Sequence, residues 1–154
     1  AINIRSEGTA AALKEAGITV VEVEVKVEWS EDPNLAIPSM SALMLSHPEL
    51  KAINVPGAFM LGRAKMYLDA VGKEAGEVGM FGFDLDPGVF EGFETGYVQL
   101  ASDQQPYLHG YMCVLSLALK IKYGLGPLSV DTSLGIIDET NYAPLADLLE
   151  AQIR

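Results

Sequence analysis

Short apolar runs alternate with helix-like segments along almost the whole chain, and this alternation constrains the fold more than any other feature. Helical patterns end at glycines such as Gly17, Gly72 and Gly124, which are common helix terminators. The pair Asp32-Pro33 is typical of a helix start. Strands that alternate with helices indicate an α/β fold, an open and mostly parallel sheet with helices on both faces.

The limits of the predicted elements follow from hydrophobic periodicity and from Gly and Pro positions. The predicted helices span residues 6–16, 33–45, 58–71, 87–93, 106–123 and 142–153. The predicted strands span residues 18–28, 52–55, 78–83, 97–101 and 129–137. Valines alternate strictly with charged residues from Val21 to Val27, which predicts a strand with one wet face at the sheet edge.

Composition and charge exclude several kinds of partner. The chain has 154 residues, of which 49% are hydrophobic, enough for one ordinary globular core. Its formal net charge of −11 disfavours nucleic acid and anionic membranes, because phosphate binding requires a cationic surface. Cys113 is the only cysteine and cannot form an internal disulfide. The longest apolar run is interrupted by His109 and is too short to cross a bilayer.

Unusual side chains follow the predicted strands, at the edge of a parallel sheet where α/β proteins bind ligands. The candidate ligand-binding residues are Arg5, Trp29, Pro56, Gly57, Asp84 and Gln104. An aromatic ring, a carboxylate, a guanidinium and an amide suit a polyhydroxylated ligand: the indole covers a sugar ring, the carboxylate accepts from hydroxyls, and the others donate.

Each of these residues also has an ordinary structural interpretation. Trp29 could pack at the surface, and Asp84 could cap the next helix, the commoner role of such an aspartate. Arg5 could be solvated, and Gln104 could close a turn. Their convergence on one sheet edge favours the joint interpretation as a ligand site.

No catalytic, metal or cofactor site is predicted. His109 and Cys113 lie four residues apart on one helix face, but the helix is apolar and offers no orienting third group, which favours core packing over a nucleophile. The segment Asp84-Leu-Asp86 begins like a calcium loop but has Val89 where glycine is required. The sequence contains no phosphate loop, no GxSxG turn and no metal-ligand spacing.

The chain resembles the carboxyl-terminal half of a type I periplasmic binding protein, from the ribose and simple-sugar group that serves ABC transporters. The matching segments are Ile4-Arg-Ser-Glu-Gly8, Met60-Leu-Gly62, Phe81-Gly-Phe-Asp84, Gly96-Tyr-Val98, Asp103-Gln-Gln-Pro-Tyr-Leu-His-Gly-Tyr111 and Val130-Asp-Thr-Ser-Leu-Gly135. The resemblance implies that Arg5, Trp29, Asp84 and Gln104 contact a simple sugar. It also implies an ABC permease as partner, and a location in the periplasm or outside the cell, as a membrane-attached lipoprotein in a Gram-positive organism.

The resemblance further implies a division of the chain between two lobes. Residues 1–104 and 134–154 correspond to the carboxyl-terminal lobe without its first strand, and residues 105–133 correspond to a helix and strand of the amino-terminal lobe. One segment departs from the family pattern: Asn54-Val-Pro-Gly57 stands where many members have an asparagine pair. This departure removes an expected hydroxyl partner and leaves the identity of the sugar open.

Two other functions share parts of this pattern. The effector-binding core of a LacI-type transcriptional regulator has the same fold and the same Gly-Phe-Asp motif, but also needs a basic helix-turn-helix upstream. A flavodoxin-like enzyme or signalling domain would need a phosphate loop or an acidic cluster near its first strand. The negative charge and the segment Gln104-Gln-Pro-Tyr107 favour transport.

We predict that the chain is not self-sufficient, because unpaired strand edges and bare apolar helix faces drive association. Its partner is either a separate amino-terminal half of the same protein or an identical chain. Sedimentation at micromolar concentration should therefore show association. A monomer in a preparation without a second polypeptide would contradict this expectation.

Overall fold

A four-stranded sheet organises the chain in a computed structural model that describes residues 2–133, 135–151 and 153. The strands are β1 Ala52–Val55, β2 Gly79–Phe83, β3 Leu100–Asp103 and β4 Gly135–Asp138. They lie side by side in chain order; β1, β2 and β3 are parallel, and β4 is antiparallel to β3. The predicted α/β class with a mostly parallel sheet is confirmed.

Seven helices accompany the sheet within these described ranges. They are α1 Ile2–Glu15, α2 Ile37–Ser46, α3 Ala58–Leu61, α4 Ala64–Asp69, α5 Pro87–Thr95, α6 Pro106–Tyr123 and α7 Ala146–Glu150. Short 3-10 turns cover Val27–Ser30, Pro33–Ala36 and Ala143–Leu145. As predicted, α5 and α6 end at Gly96 and Gly124, whose φ angles of 77° and 70° are left-handed.

Helices pack against both faces of the sheet, as expected. Along β2 the side chains alternate between the two faces, so that Met80 and Gly82 are buried and their neighbours are half-buried. Leu61 of α3 lies against the face of Gly82, since a Cβ atom there would be 3.2 Å from Leu61 Cδ2. On the opposite face, the guanidinium of Arg5 from α1 lies 5.1 Å from the ring centroid of Phe83.

Three predicted helices are shorter or divided. The segment 33–45 begins as a 3-10 turn, and α2 starts so that Pro38 falls in its first turn, where the missing N–H costs little. The segment 58–71 breaks around Gly62, because the carboxylate of Asp86 and the backbone of Gly88 approach closely there. The last segment, 142–153, forms a 3-10 turn followed by α7; its residue 152 lies outside the described residues.

The predicted strand 18–28 is wrong. Residues 18–26 are irregular, and the chain then forms the 3-10 turn Val27–Ser30. Residues 19–25 make no backbone–backbone hydrogen bond to any described residue. Ile18, Val21 and Val23 keep 42–51% of their surface exposed. Alternation defines which side chains share a face, but a strand also needs a neighbour that pairs its backbone groups.

The predicted strand 52–55 is confirmed as β1, and the strand 78–83 begins one residue later as β2, whereas the last two strands shift further. The predicted strand 97–101 forms three residues later as β3, and Tyr97 and Val98 lie buried in the loop before it. The predicted last strand 129–137 is shortened to β4, and its residue 134 lies outside the described residues. The residues before it, 124–132, are irregular.

The hydrophobic core lies between the sheet and the helices α2, α3, α4 and α5. Tyr67, Leu61 and Leu68 are fully buried there, together with Met80 from β2. The hydroxyl of Tyr67 donates to the carbonyl oxygen of Pro33 at 3.2 Å. Burial raises the pKa of Tyr67 to about 12, since the apolar surroundings disfavour the charged phenolate.

Helix α6 is bare by comparison, since none of its residues is buried. Val114, Leu117 and Ile121 are 63–85% exposed. The irregular segment after the helix exposes Leu125, Leu128 and Val130 to 47–51%. Water therefore contacts several large apolar side chains in this region. The assignment of residues 105–133 to a second lobe stays a prediction.

Substitution of Gly82 tests how closely β1 and β2 pack. A Cβ atom at this position would lie 2.8 Å from the carbonyl oxygen of Val55, so Gly82→Ala should lower the free energy of unfolding by about 1–3 kcal/mol through overpacking. Gly8 of α1 has nothing within 4 Å of the same position, and Gly8→Ala should stabilise by up to ~1 kcal/mol. Urea denaturation of both variants measures their free energies of unfolding. Equal changes in Gly82→Ala and Gly8→Ala would contradict the close approach of β1 and β2 at Gly82.

Candidate functional site

The carboxyl ends of β1, β2 and β3 meet at one edge of the sheet because these strands are parallel. Val55 pairs with Gly82, and Phe83 pairs with Ser102. The residues that follow these strands are Pro56 and Gly57, Asp84, and Gln104. The backbone N–H of Asp84 donates to the carbonyl oxygen of Ser102 at 2.8 Å, which holds the ends of β2 and β3 together.

Arg5 reaches this edge from α1. Its Nη1 donates to the carbonyl oxygen of Pro56 at 2.9 Å and to Oδ2 of Asp84 at 3.0 Å. The two charged side chains are only 21% and 25% exposed, so solvent screens this ion pair less than a surface pair. Arg5 therefore connects the ends of β1 and β2 with the first turns of α1.

Asp84 has an unusual backbone and an unusual carboxylate. Its φ angle of 68° lies in the left-handed region, which non-glycine residues seldom occupy. Strained backbone of this kind is often found at ligand sites. One carboxylate oxygen, Oδ2, pairs with Arg5, while the other, Oδ1, is buried and has no hydrogen-bond partner among the described residues. A buried acceptor without a donor costs free energy, and a ligand hydroxyl would satisfy it.

The helix-cap role that was open to Asp84 belongs to Asp86 instead. Oδ1 of Asp86 accepts from the backbone N–H of Val89 at 2.8 Å and caps α5. Asp84 is thus not needed for the cap, and its carboxylate faces Arg5. This arrangement distinguishes two aspartates that the sequence pattern alone does not separate.

The end of β3 is held by a second set of polar contacts. Oδ1 of the buried Asp103 accepts from the backbone N–H of Gln105 at 2.8 Å. Gln105 has a left-handed φ angle of 58°, and its Nε2 donates to the carbonyl oxygen of Thr132 at 3.2 Å. His109 Nε2 lies 2.8 Å from Thr132 Oγ1. Gln104 is half-buried between Asp103 and Gln105, one strand away from Asp84.

Trp29 is placed differently from the rest of the predicted set. Its side chain is 2% exposed and belongs to the hydrophobic core, and its 3-10 turn packs against α3. An indole with so little free surface has none to offer a sugar ring, so the predicted stacking role is at odds with the structure. The sequence does not separate a buried Trp29 from one that stacks on a sugar, because the alternation before Trp29 predicts a strand that would end at the ligand edge.

Two phenylalanines stand at this edge instead. Phe83 is the last residue of β2, is half-buried, and lies beneath the Arg5 guanidinium. Phe59 lies in α3, and its Cε1 would be 2.9 Å from a Cβ atom at Gly57. Sequence reasoning missed both residues; the available signal was an aromatic residue next to a strand end.

His109 and Cys113 are both exposed on α6, which contradicts their predicted core packing. Only the irregular segment 128–132 lies across from this side of the helix among the described residues, and it leaves both side chains exposed. They border a groove of about 570 Å³ between α6 and residues 128–132. Among the described residues, no group of three or more His, Cys, Asp or Glu side chains is placed to hold a metal ion. In the same residues, no helix has the length and apolarity needed to span a membrane.

This fold and this sheet edge match one class of protein. A family model described as "Periplasmic binding protein domain" matches residues 1–124. The chain belongs to this periplasmic binding protein family, which confirms the resemblance seen in the sequence.

Particular relatives bind sugars by their own descriptions. The xylose/arabinose-binding protein XylF of Sulfolobus acidocaldarius is 32% identical over 71 residues, which are 45% of this chain and 18% of that protein. A carbohydrate transporter of Acidothermus cellulolyticus 11B, solved in complex with myo-inositol, is 29% identical with a TM-score of 0.64, covering 80% of this chain and 43% of the other.

A further structural match is the periplasmic sugar-binding protein of an ABC sugar transporter from Legionella pneumophila. It is 25% identical with a TM-score of 0.72, and the alignment covers 86% of this chain and 48% of that protein. The chain spans about half the length of these solved structures.

The Arg5–Asp84 pair should contribute measurably to stability. Arg5→Met leaves a partly buried carboxylate unpaired and should lower the free energy of unfolding by about 1–3 kcal/mol. Asp84→Asn in the same chain should recover part of this loss, because the uncompensated charge disappears. A double-mutant cycle from urea denaturation measures the coupling.

The exposed pair of Lys14 and Glu22, with side chains 55% and 62% exposed, is the matched control. Lys14→Met should have a smaller effect than Arg5→Met, because water screens this pair. If the changes in unfolding free energy from Arg5→Met and Asp84→Asn were simply additive, the ion pair between Arg5 and Asp84 would not contribute to stability.

Proposed function

We propose that this chain is a fragment of the substrate-binding component of an ABC transporter and that it binds one side of a simple sugar. The fragment comprises the carboxyl-terminal lobe without its first strand and a segment of the amino-terminal lobe. The observation that carries the proposal is the buried Oδ1 of Asp84, which has no hydrogen-bond partner among the described residues. It lies at the carboxyl edge of a parallel sheet, where α/β proteins bind ligands. The relatives described as sugar-binding proteins support the same class of ligand.

The chemistry of this edge suits hydroxyl groups. Asp84 Oδ1 accepts one O–H bond, while Arg5 holds Oδ2 and so orients the carboxylate. Arg5 has further N–H groups, and the amide of Gln104 both donates and accepts. Hydrogen bonds to charged groups contribute about 1.5–3 kcal/mol each, so a few of them can hold a small sugar. The backbone of Pro56 and Gly57 completes this side of the cleft.

The second side of the cleft belongs, in this proposal, to an amino-terminal half. Residues 1–104 and 134–154 form the lobe that contains the sheet, and residues 105–133 extend toward the other lobe. The exposed apolar residues of α6 support this division, since an apolar helix of this kind is normally covered. The chain leaves and re-enters the sheet at paired positions, Asp103 and Gly135. An identical chain is the alternative source of the covering surface.

The sugar then bridges the two lobes and shifts them from an open to a closed state, which docks on the membrane permease. A location in the periplasm or outside the cell follows from this role. The alternative of a LacI-type effector-binding core receives less support, because the similar proteins from Legionella pneumophila and Acidothermus cellulolyticus are described as transporter proteins and the chain carries a net charge of −11. We assign no catalytic function to the site.

Calorimetric titration with a panel of pentoses and hexoses tests this function. The chain should be measured together with its amino-terminal half, and we expect at least one sugar to bind at micromolar concentration. Asp84→Ala should weaken that binding by at least about tenfold, the equivalent of ~1.4 kcal/mol, because the charged acceptor is lost.

Glu94→Ala is the matched control, because Glu94 is an exposed carboxylate on α5. This variant removes the same charge and should leave the affinity unchanged. Unaltered sugar affinity in Asp84→Ala would show that the ligand site lies elsewhere, and the absence of binding by every sugar would contradict the proposed binding of a simple sugar.

A further inference from the structure

Both hydrogen bonds that Arg5 makes to described residues use the same nitrogen atom. Nη1 donates to the carbonyl oxygen of Pro56 at 2.9 Å and to Oδ2 of Asp84 at 3.0 Å. In a two-nitrogen fork, an arginine would bind a carboxylate through two parallel N–H···O bonds. Here the bonds anchor one corner of the guanidinium, and Nε and Nη2 have no hydrogen bond to a described residue.

The helix that carries Arg5 does little to hold the guanidinium in place. Of the side chains of α1 that the structure describes, only that of Ala10 is buried. Ile4, the residue before Arg5, is 74% exposed. A helix with so little buried surface can shift at small cost in free energy. The position of the guanidinium therefore depends on its own contacts more than on the packing of α1.

The ring of Phe83 provides a third contact for this guanidinium. Cζ of Arg5 lies 5.1 Å from the ring centroid, which is within the range of about 6 Å for a cation–π interaction. The side chain of Arg5 is 21% exposed, so water only partly screens this attraction. The ring faces the centre of the guanidinium, whereas the hydrogen bonds hold one corner of it, and the two kinds of contact together limit its tilt.

Phe83 lies outside the hydrophobic core. Among the described residues, the buried core and the half-buried side chains that pack on it do not include Phe83. Its side chain lies on the face of β2 opposite to Gly82. Core packing therefore does not explain why a phenyl ring stands here, and the contact with Arg5 does.

We propose that Phe83 is a positioning residue of the sugar site. Its ring holds the guanidinium of Arg5 in the orientation that pairs with Asp84 and offers the remaining N–H groups to a sugar hydroxyl. The proposal rests on the sugar-binding function above. Phe83 thus acts on the sugar through Arg5 and Asp84, which differs from direct stacking of the phenyl ring on a sugar, in which Arg5 would have no part.

Single substitutions test whether the ring matters for binding. Calorimetry uses the chain together with its amino-terminal half and the pentose or hexose that binds most tightly in the panel above. Phe83→Leu should weaken binding by roughly two- to tenfold, the size of a lost cation–π interaction. Phe83→Tyr keeps the ring and should retain the affinity. Phe81→Leu is the matched control, because Phe81 shares this face of β2 and also lies outside the core.

A double substitution distinguishes positioning from direct contact with the sugar. Arg5→Gln removes the cation but keeps an amide that can donate to Asp84. In this background Phe83→Leu should cause no further loss of affinity, because no guanidinium remains to be held. An equal loss in both backgrounds would overturn the proposal and assign the ring to the sugar itself. Unchanged affinity in Phe83→Leu alone would also overturn it.

Urea denaturation verifies that each variant is folded. If Phe83→Leu does not fold, Phe83→Met takes its place, since the flexible side chain of methionine fills irregular gaps. Failure of both variants to fold would show that the ring is needed for the fold itself and would overturn a role confined to the site. These outcomes leave the sugar-binding function intact, which fails only if the unmodified protein binds no sugar.

Discussion

The guanidinium of Arg5 is the contact on which the candidate site depends. It bonds to the carbonyl oxygen after β1 and to the carboxylate after β2, and it lies over the ring of Phe83. These strands are parallel, so their ends face the same side of the molecule. One side chain from α1 therefore orients a carboxylate whose other oxygen has no hydrogen-bond partner among the described residues.

The structure combines a well-packed sheet with apolar side chains that are exposed to water. The helices around the sheet bury a continuous core, yet α6 buries none of its residues, and the alternating valines of residues 18–26 remain unpaired. Leaving so much apolar surface in water is unfavourable at roughly 25 cal/mol per Å². This contrast supports the proposal that a second lobe covers the exposed side and also closes the sugar site.

The three strand ends present different chemistry at the sheet edge. A carboxylate and an amide follow β2 and β3, whereas a proline, two small residues and a phenyl ring follow β1. By the resemblance, many family members have an asparagine pair at the end of β1, where this chain has Asn54-Val-Pro-Gly57. Trp29 contributes to the packing beneath this edge, since its indole lies in the core.

Local signals in the sequence determined the ends of α5 and α6 at Gly96 and Gly124, the Asp32 turn and the mostly parallel α/β class, because caps, glycines and periodicity act within a few residues. They also placed Arg5, Asp84 and Gln104 near one edge. Tertiary structure alone decided that residues 18–28 form no strand, that Trp29 is buried, and that Asp86 caps α5 while Asp84 pairs with Arg5. Strand pairing, burial and ion pairing depend on residues that are distant in the chain, and a local pattern carries no information about which of them will be neighbours.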